Sequence, residues 1–318
     1  MTTFAANHLL STNFAVPEHI LVATDLSDGE FVIPHAVAQA RAACARVTLV
    51  HAIVPLTSYA LDGGAMAHID SQRIAEDVHE ALYAMAEKVM KQGIPCAMIA
   101  RDGYPAQIIE EAIESTHATR LIMATHGRGR LGQLILGSVA NQLLGTVTIP
   151  VFAVGPRSQN TGTHLSPRKI LHPVSMTGDY RATVKIALEL AKAYNAELTL
   201  MHIPEPDVEH SIHPGCTLSW AENLAALLLP EPAVPETPIR FSVAFGNPVE
   251  EIRKEARSMK ADWIVVGVDE NWSTWPFSES TAYKILATSD CPVCAIPHGL
   301  TVAERRKVEA AQPVAVLG

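Results

Sequence analysis

The chain has no basic surplus. It carries 24 Lys and Arg against 33 Asp and Glu, a net charge of −9, with a pI near 5.8. Its densest basic group, Arg305-Arg306-Lys307, stands near the C-terminus and reads as a solvated tail. A nucleic-acid or anionic-membrane partner calls for a basic face or stripe, so neither is expected. No apolar run approaches the roughly 20 residues that span a bilayer. The opening Met1 to His8 has no positive stretch ahead of an apolar one, so no secretory leader is read there. Five cysteines, an odd number in a long chain, do not make a disulfide framework. A reduced cytoplasm is the economical reading. No G-x4-G-K-[ST] segment occurs, which excludes a P-loop NTPase. Neither a dense carboxylate cluster for a second metal nor a positioned base for activating water is visible.

What the chain does have is length and self-similarity. At 318 residues and 48% hydrophobic content it can fill more than one core, and domains of about 150 residues predict two. The β-like run His19 to Asp25 in the first half corresponds to Lys169 to Ser175 in the second. A helical stretch follows each. Val47-Thr48-Leu49-Val50-His51 then matches Leu198-Thr199-Leu200-Met201-His202, and Gly103-Tyr104-Pro105-Ala106 matches Gly246-Asn247-Pro248-Val249. Leu121-Ile122-Met123-Ala124 matches Ile264-Val265-Val266-Gly267, and Ile149 to Val154 matches Cys291 to Ile296. Matches in one order at a nearly constant offset predict a duplicated domain. The domains are placed at 17–155 and 168–298, joined by a linker over 156–167 whose Gly, Pro, Ser and Asn content suits one.

Within each half, short apolar strands alternate with amphipathic segments. In Ala106 to Ile113, for example, Ile109, Ala112 and Ile113 share one helical face. That alternation predicts an α/β fold, a parallel sheet covered on both faces. Ligands of such sheets sit beyond the C-terminal strand ends, where strand order reverses.

One segment follows such a strand. Ala124-Thr125-His126-Gly127-Arg128-Gly129-Arg130-Leu131-Gly132 runs on to Leu136-Gly137-Ser138 and a helix-compatible stretch, Val139 to Leu144. Glycines there let backbone N–H groups close on a ligand. Gly137-Ser138 falls where a helix begins, with its open amides and positive dipole end. The arrangement Ala124-x2-Gly127-x9-Gly137-Ser138 resembles the G-x2-G-x9-G-[S/T] nucleotide loop of the universal stress protein family. The resemblance covers most of the chain as two such domains in tandem. It implies two doubly wound domains, each a five-stranded parallel sheet of order 3-2-1-4-5 with helices on both faces. It also implies that the closing Pro-Val strands pair the two domains within the chain.

The resemblance carries a site into the first half. Thr24-Asp25-Leu26-Ser27 ends the first strand and holds the family's acidic residue, Asp25, for ribose or nucleoside. The other reading of Asp25 or Ser27 is a cap for the next helix. Ala52, in His51-Ala52-Ile53, would read adenine through backbone groups; this assignment rests on the resemblance alone. Thr125, His126, Gly127, Arg128, Gly129, Arg130, Gly137, Ser138 and Val139 form the phosphate loop. Arg128 and Arg130 either offset phosphate charge or are solvated, and His126 has no visible partner that would make it a base. The family's first loop glycine is Ala124 here, which a negative φ accommodates.

The second half departs further. Gly267 keeps the first glycine, but Glu270 and Ser280 replace the others, Ser175 stands for Asp25, and Asp269 with Glu270 brings negative charge toward a phosphate. Trp272, Trp275 and Phe277 are large enough to fill a vacated pocket. This half is expected not to bind ATP. Glu209, His210, His213 and Cys216 have a metal-like spacing, but they lie in the Pro-rich insert 204–238 and read by default as solvated loop, so no metal is expected. Cys291-Pro292-Val293-Cys294 sits in a strand, with its cysteines on opposite faces, and reads as structural rather than redox.

The sequence therefore predicts a cytoplasmic stress-response regulator holding ATP, with or without Mg, in its N-terminal domain only. A protein partner or homo-oligomer is expected to receive the signal. The alternatives are a nucleotide-independent interaction scaffold and, behind it, an ATP-using enzyme. Binding is better supported than turnover, and no catalytic residue is assigned.

Overall fold

The computed structural model describes residues 15–54, 71–125, 136–160, 166–176, 180–204, 237–268, 272 and 280–302. The first repeat runs β1 (His19–Ala23), α1 (Gly29–Ala43), β2 (Arg46–Ile53), α2 (Ser71–Met90), β3 (Cys96–Asp102), α3 (Pro105–Thr116), β4 (Arg120–Ala124), α4 (Ser138–Thr146) and β5 (Val151–Val154). A 3₁₀ turn, Pro156–Asn160, opens the connection. The second repeat runs β6 (Lys169–Pro173), α5 (Tyr180–Tyr194), β7 (Glu197–His202), β8 (Ile239–Val243), α6 (Pro248–Met259), β9 (Trp263–Gly267), α7 (Thr281–Thr288) and β10 (Val293–Ile296).

The strands form one ten-stranded sheet, β3-β2-β1-β4-β5-β10-β9-β6-β7-β8. Each repeat has the order 3-2-1-4-5 with every pair parallel. The repeats join where β5 meets β10 antiparallel, with Val293 opposite Ala153, Cys294 opposite Phe152 and Ala295 opposite Val151. Since Val151, Phe152 and Ala153 correspond in sequence to Val293, Cys294 and Ala295, that register places a pseudo-two-fold axis at the Phe152–Cys294 pair.

Alternation along the strands divides the interior in two. Ile20, Val22, Phe152, Cys294 and Ile296 enter one core with α1, α2 and α5. Leu21, Ala23, Val151, Val293 and Ala295 enter the other with α3, α4, α6 and α7. Both faces of the central strands are thus buried, which is why those strands read as unbroken apolar runs. Each core holds residues of both repeats, so the seam between repeats is interior rather than a surface contact.

The repeated Gly-x-Pro has a local explanation. Gly103 and Gly246 adopt φ of 150° and 122°, backbone that a side chain would strain. Pro105 and Pro248 then occupy the first helical turn, where a missing N–H costs nothing. Asn247 also caps α6, accepting from Val249 N–H at 3.0 Å and Glu250 N–H at 3.3 Å; Tyr104 supplies no such cap to α3.

At the seam lies Arg120, fully buried at the head of β4. Its Nη1 donates to Gln39 Oε1 at 2.8 Å and to the Tyr194 hydroxyl at 2.7 Å, and its Nη2 donates to Ala15 C=O at 3.1 Å. The guanidinium also stands 4.6 Å from the centre of the Phe152 ring. Trp263 meets Phe152 and Tyr194 edge-on at 4.7 and 4.9 Å. No helix among the described residues is long and apolar enough to cross a membrane.

Candidate functional site

In the first repeat, β1 lies between β2 and β4, and the chain leaves β1 toward β2 on one side and returns to β4 on the other. That is the switch point of a doubly wound sheet. Thr24 to Ser27 follow β1, Ala52 lies on β2, Thr125 follows β4, and Gly137 to Val139 open α4. The topology therefore brings these residues to one edge of the sheet.

The loop after β1 is tied to itself. Thr24, buried, donates its hydroxyl to Asp28 Oδ1 and accepts the Leu26 N–H at 2.9 Å. Asp25 Oδ1 accepts from Ser27 N–H at 2.8 Å and from Ser27 Oγ–H at 2.6 Å. Leu26 has a φ of 71°, a left-handed conformation that costs a β-carbon-bearing residue on the order of 1 kcal/mol and persists only where the surroundings impose it. The residue preceding α1 is Asp28, whose side chain does not cap the helix; Asp25 and Ser27 bond to each other. Burial pushes the Asp28 carboxyl up to about 6, the Thr24 hydrogen bond opposes that shift, and the charge of Asp25 adds to it.

Ala52 owes its place to strand geometry. Thr24 N–H donates to Val50 C=O at 3.1 Å, so Val50, and by period two Ala52, turn N–H and C=O toward β1. Beyond Val50 the β1–β2 ladder stops. Its next rung would carry Ala52 N–H to Thr24 C=O, but that carbonyl accepts from His51 Nδ1 at 2.8 Å. The second repeat does the same: His202 Nδ1 reaches Val174 C=O at 3.0 Å. Each histidine thus bonds the carbonyl just past the end of its β-ladder.

The third piece is α4. Gly137 N–H donates to Thr125 C=O at 2.8 Å and Thr125 N–H donates to Val154 C=O at 3.0 Å, which fastens the helix start to the ends of β4 and β5. The first intrahelical bond is Asn141 N–H to Gly137 C=O at 2.9 Å. The amides of Ser138, Val139 and Ala140 precede it and have no acceptor within the helix. Gly137, at the N-cap, has no side chain to take them. Ala124 ends β4 and is not among the residues of positive φ, so its methyl sits on ordinary extended backbone. His126, Gly127, Arg128, Gly129 and Arg130 lie outside the described residues.

The matching helix start in the second repeat carries a side-chain cap. Ser280 caps α7, its hydroxyl accepting Tyr283 N–H at 3.0 Å. Trp272 is buried, but it does not simply fill its own repeat: its indole N–H donates to Asn141 C=O of α4, across the seam, at 2.9 Å. Trp275 and Phe277, like Asp269 and Glu270, lie outside the described residues, as do Glu209, His210, His213 and Cys216. Cys291 and Cys294 enter opposite cores, and burial pushes their thiols up to about 11 and about 12. Among the described residues no three His, Cys, Asp or Glu side chains gather as metal ligands.

Asp28 and His51 were not singled out as site residues from sequence. Asp28 lies just past the resemblance pattern. The repeat of His51 at His202 was the signal available for the second.

A doubly wound parallel sheet, repeated and joined edge to edge into one sheet, defines a tandem α/β protein. The universal stress protein family model matches residues 17–155 and 167–297, so the chain belongs to that family, twice over. A universal stress protein of Thermus aquaticus, from the QAH/OAS sulfhydrylase 3′ region, is 29% identical over 142 residues, 42% of this chain and 96% of its own. A universal stress protein from Archaeoglobus fulgidus has a similar structure across both repeats, with a TM-score of 0.66 at 19% identity, covering 89% of this chain and 99% of its own. Another A. fulgidus universal stress protein, solved in complex with dAMP, covers 44% of this chain and 98% of its own at 21% identity, with a TM-score of 0.33.

Proposed function

We propose that the N-terminal domain, 17–155, holds an adenine nucleotide, ATP, and that the C-terminal domain, 168–298, does not. The observation that carries this reading is the contrast between two helix starts. Gly137 leaves the first-turn amides of α4 open, whereas Ser280 takes an amide of α7 for itself. Open amides and the positive end of the dipole suit a phosphate. Ala52, with N–H and C=O turned to the crevice, suits the donor and acceptor edge of adenine, and Asp25 suits ribose hydroxyls. The family resemblance assigns His126 to Arg130 to the phosphates as well, and any Mg travels with them.

In this reading the protein is a cytoplasmic regulator rather than an enzyme. ATP favours one arrangement of the loop or of the domain pair, and a protein partner or second copy reads that arrangement through its own differential affinity. The test is calorimetric titration with Mg-ATP beside a thermal melt. One nucleotide per chain is expected. At about 100 times the dissociation constant the fold should gain about 2.7 kcal/mol. Two nucleotides per chain, or an unmoved melt at millimolar ATP, overturns the reading.

A further inference from the structure

The C-terminal repeat reaches across the seam with two side chains, and both end on the backbone of the α4 start. The Tyr283 hydroxyl, from α7, accepts Leu136 N–H at 3.2 Å, one residue before Gly137. The Trp272 indole N–H donates to Asn141 C=O at 2.9 Å, one residue past the three open amides. Tyr283 and Trp272 are both buried, and their rings lie 6.0 Å apart, so they form one aromatic unit within a core shared by both repeats. Two fixed points therefore bracket the turn Gly137 to Ala140.

The support runs one way. By the repeat alignment, Tyr283 corresponds to Ala140 and Trp272 to Gly129. Neither Ala140 nor Gly129 has a side-chain hydroxyl or N–H to give back to α7. The second repeat caps its own helix start with Ser280 and applies its aromatic pair to its neighbour's.

We propose that Tyr283 and Trp272 are positioning residues for the phosphate seat of the N-terminal domain. The C-terminal repeat then serves as a clamp that fixes the α4 amides before a ligand arrives. This rests on the nucleotide reading above. Amides held in place need no ordering when the anion binds, and that ordering is a cost a loose site meets at each binding event. The clamp acts on the phosphate end and leaves the nucleoside end, at Ala52 and Asp25, untouched.

That division supplies the experiment. ATP and adenosine are titrated into the full-length chain, into Tyr283→Phe and into Trp272→Phe, each variant keeping a ring while losing the polar group. The expected result is a loss of about fivefold in ATP affinity per variant, the size of one ordinary hydrogen bond, with adenosine affinity unchanged. An ATP-to-adenosine ratio equal to wild type overturns the proposal, and so does an equal weakening of both ligands, which a merely structural role would give. Wild-type protein that binds no ATP overturns the nucleotide reading itself and the clamp with it. A second measurement needs no variant. Because coupling is reciprocal, saturating ATP should slow amide hydrogen exchange at Leu136. Unchanged exchange there in the ATP-bound protein overturns the clamp while leaving nucleotide binding intact.

Discussion

Arg120 donates to the Tyr194 hydroxyl at 2.7 Å, and the two residues belong to different repeats. The guanidinium is fully buried, so each acceptor it holds matters more than a surface partner would. Tyr194→Phe keeps the ring against Trp263 and removes the acceptor alone. Hydrogen bonds to charged groups contribute about 1.5–3 kcal/mol, and a loss in that range is expected. Urea unfolding followed by fluorescence measures it. A midpoint unchanged from wild type would mean that the seam does not depend on this bond.

The fold was legible because duplication printed each strand twice, and strands buried on both faces read as unbroken apolar runs. The candidate site drew notice in the sequence where its residues are unusual for their place: glycines after a strand, an Asp at a strand end. Arg120 was not legible. A lone Arg before Leu121 reads as a solvated strand end, and its partners Gln39, Tyr194 and Ala15 are 81, 74 and 105 residues away. The role of Trp272 was half legible. Its size marked it as a pocket filler, but only the antiparallel β5–β10 junction brings α4 within its reach.

Asp28 gives stability a pH dependence opposite to that of a salt-bridged carboxylate. Its folded pKa of about 6 lies above the ordinary 3.8, so between those values the folded state binds more protons than the unfolded one. Stability from this group is full below about 4 and falls as pH rises through 6. Asp28→Asn keeps an oxygen to accept from Thr24 and carries no charge. It should raise stability at pH 7.5 by about 1–2 kcal/mol and change it little at pH 4. Equal stability of the two proteins at pH 7.5 contradicts the burial account.

His172 has the opposite sign. It is buried between Val265 C=O, 2.9 Å from Nδ1, and the Thr183 hydroxyl, 3.2 Å from Nε2. Burial lowers its pKa to about 4 from 6.5. The unfolded chain therefore takes up a proton first as pH falls, and stability is lost from about 6.5 down through 4. Its counterpart in the first repeat is Val22. His172→Val should flatten the decline between pH 6.5 and 4, seen as a smaller shift in melting temperature across that window. An unchanged slope would exclude His172 as its source.

Thiol chemistry should separate the cysteines by depth. Cys44 is exposed, whereas Cys291 and Cys294 are buried, with thiols raised to about 11 and about 12. The thiolate is the reactive form. Iodoacetamide on the native protein at pH 8 should alkylate Cys44 and spare the pair, as read by peptide mass spectrometry. Rapid labelling of Cys294, or a 291–294 disulfide after mild oxidation, would contradict their placement in opposite cores.

Gly137→Asp tests the contrast between the two helix starts most directly. An Asp at the N-cap can accept the first-turn amides and complements the dipole, so the helix should gain, relative to Gly, a few tenths of a kcal/mol or somewhat more. The same carboxylate occupies the place proposed for a phosphate and would repel one. Stability and nucleotide affinity should therefore move in opposite directions, with the melt unchanged or higher and ATP affinity down by about a hundredfold or more, given that a few kcal/mol of anion stabilisation is replaced by repulsion. Ser280→Gly, the reciprocal change, should lower stability slightly by removing the cap on α7. It should not create a second site, since the second repeat still has Ser175 in place of Asp25. A variant Gly137→Asp that binds ATP as tightly as wild type would place the phosphate somewhere other than the α4 amides.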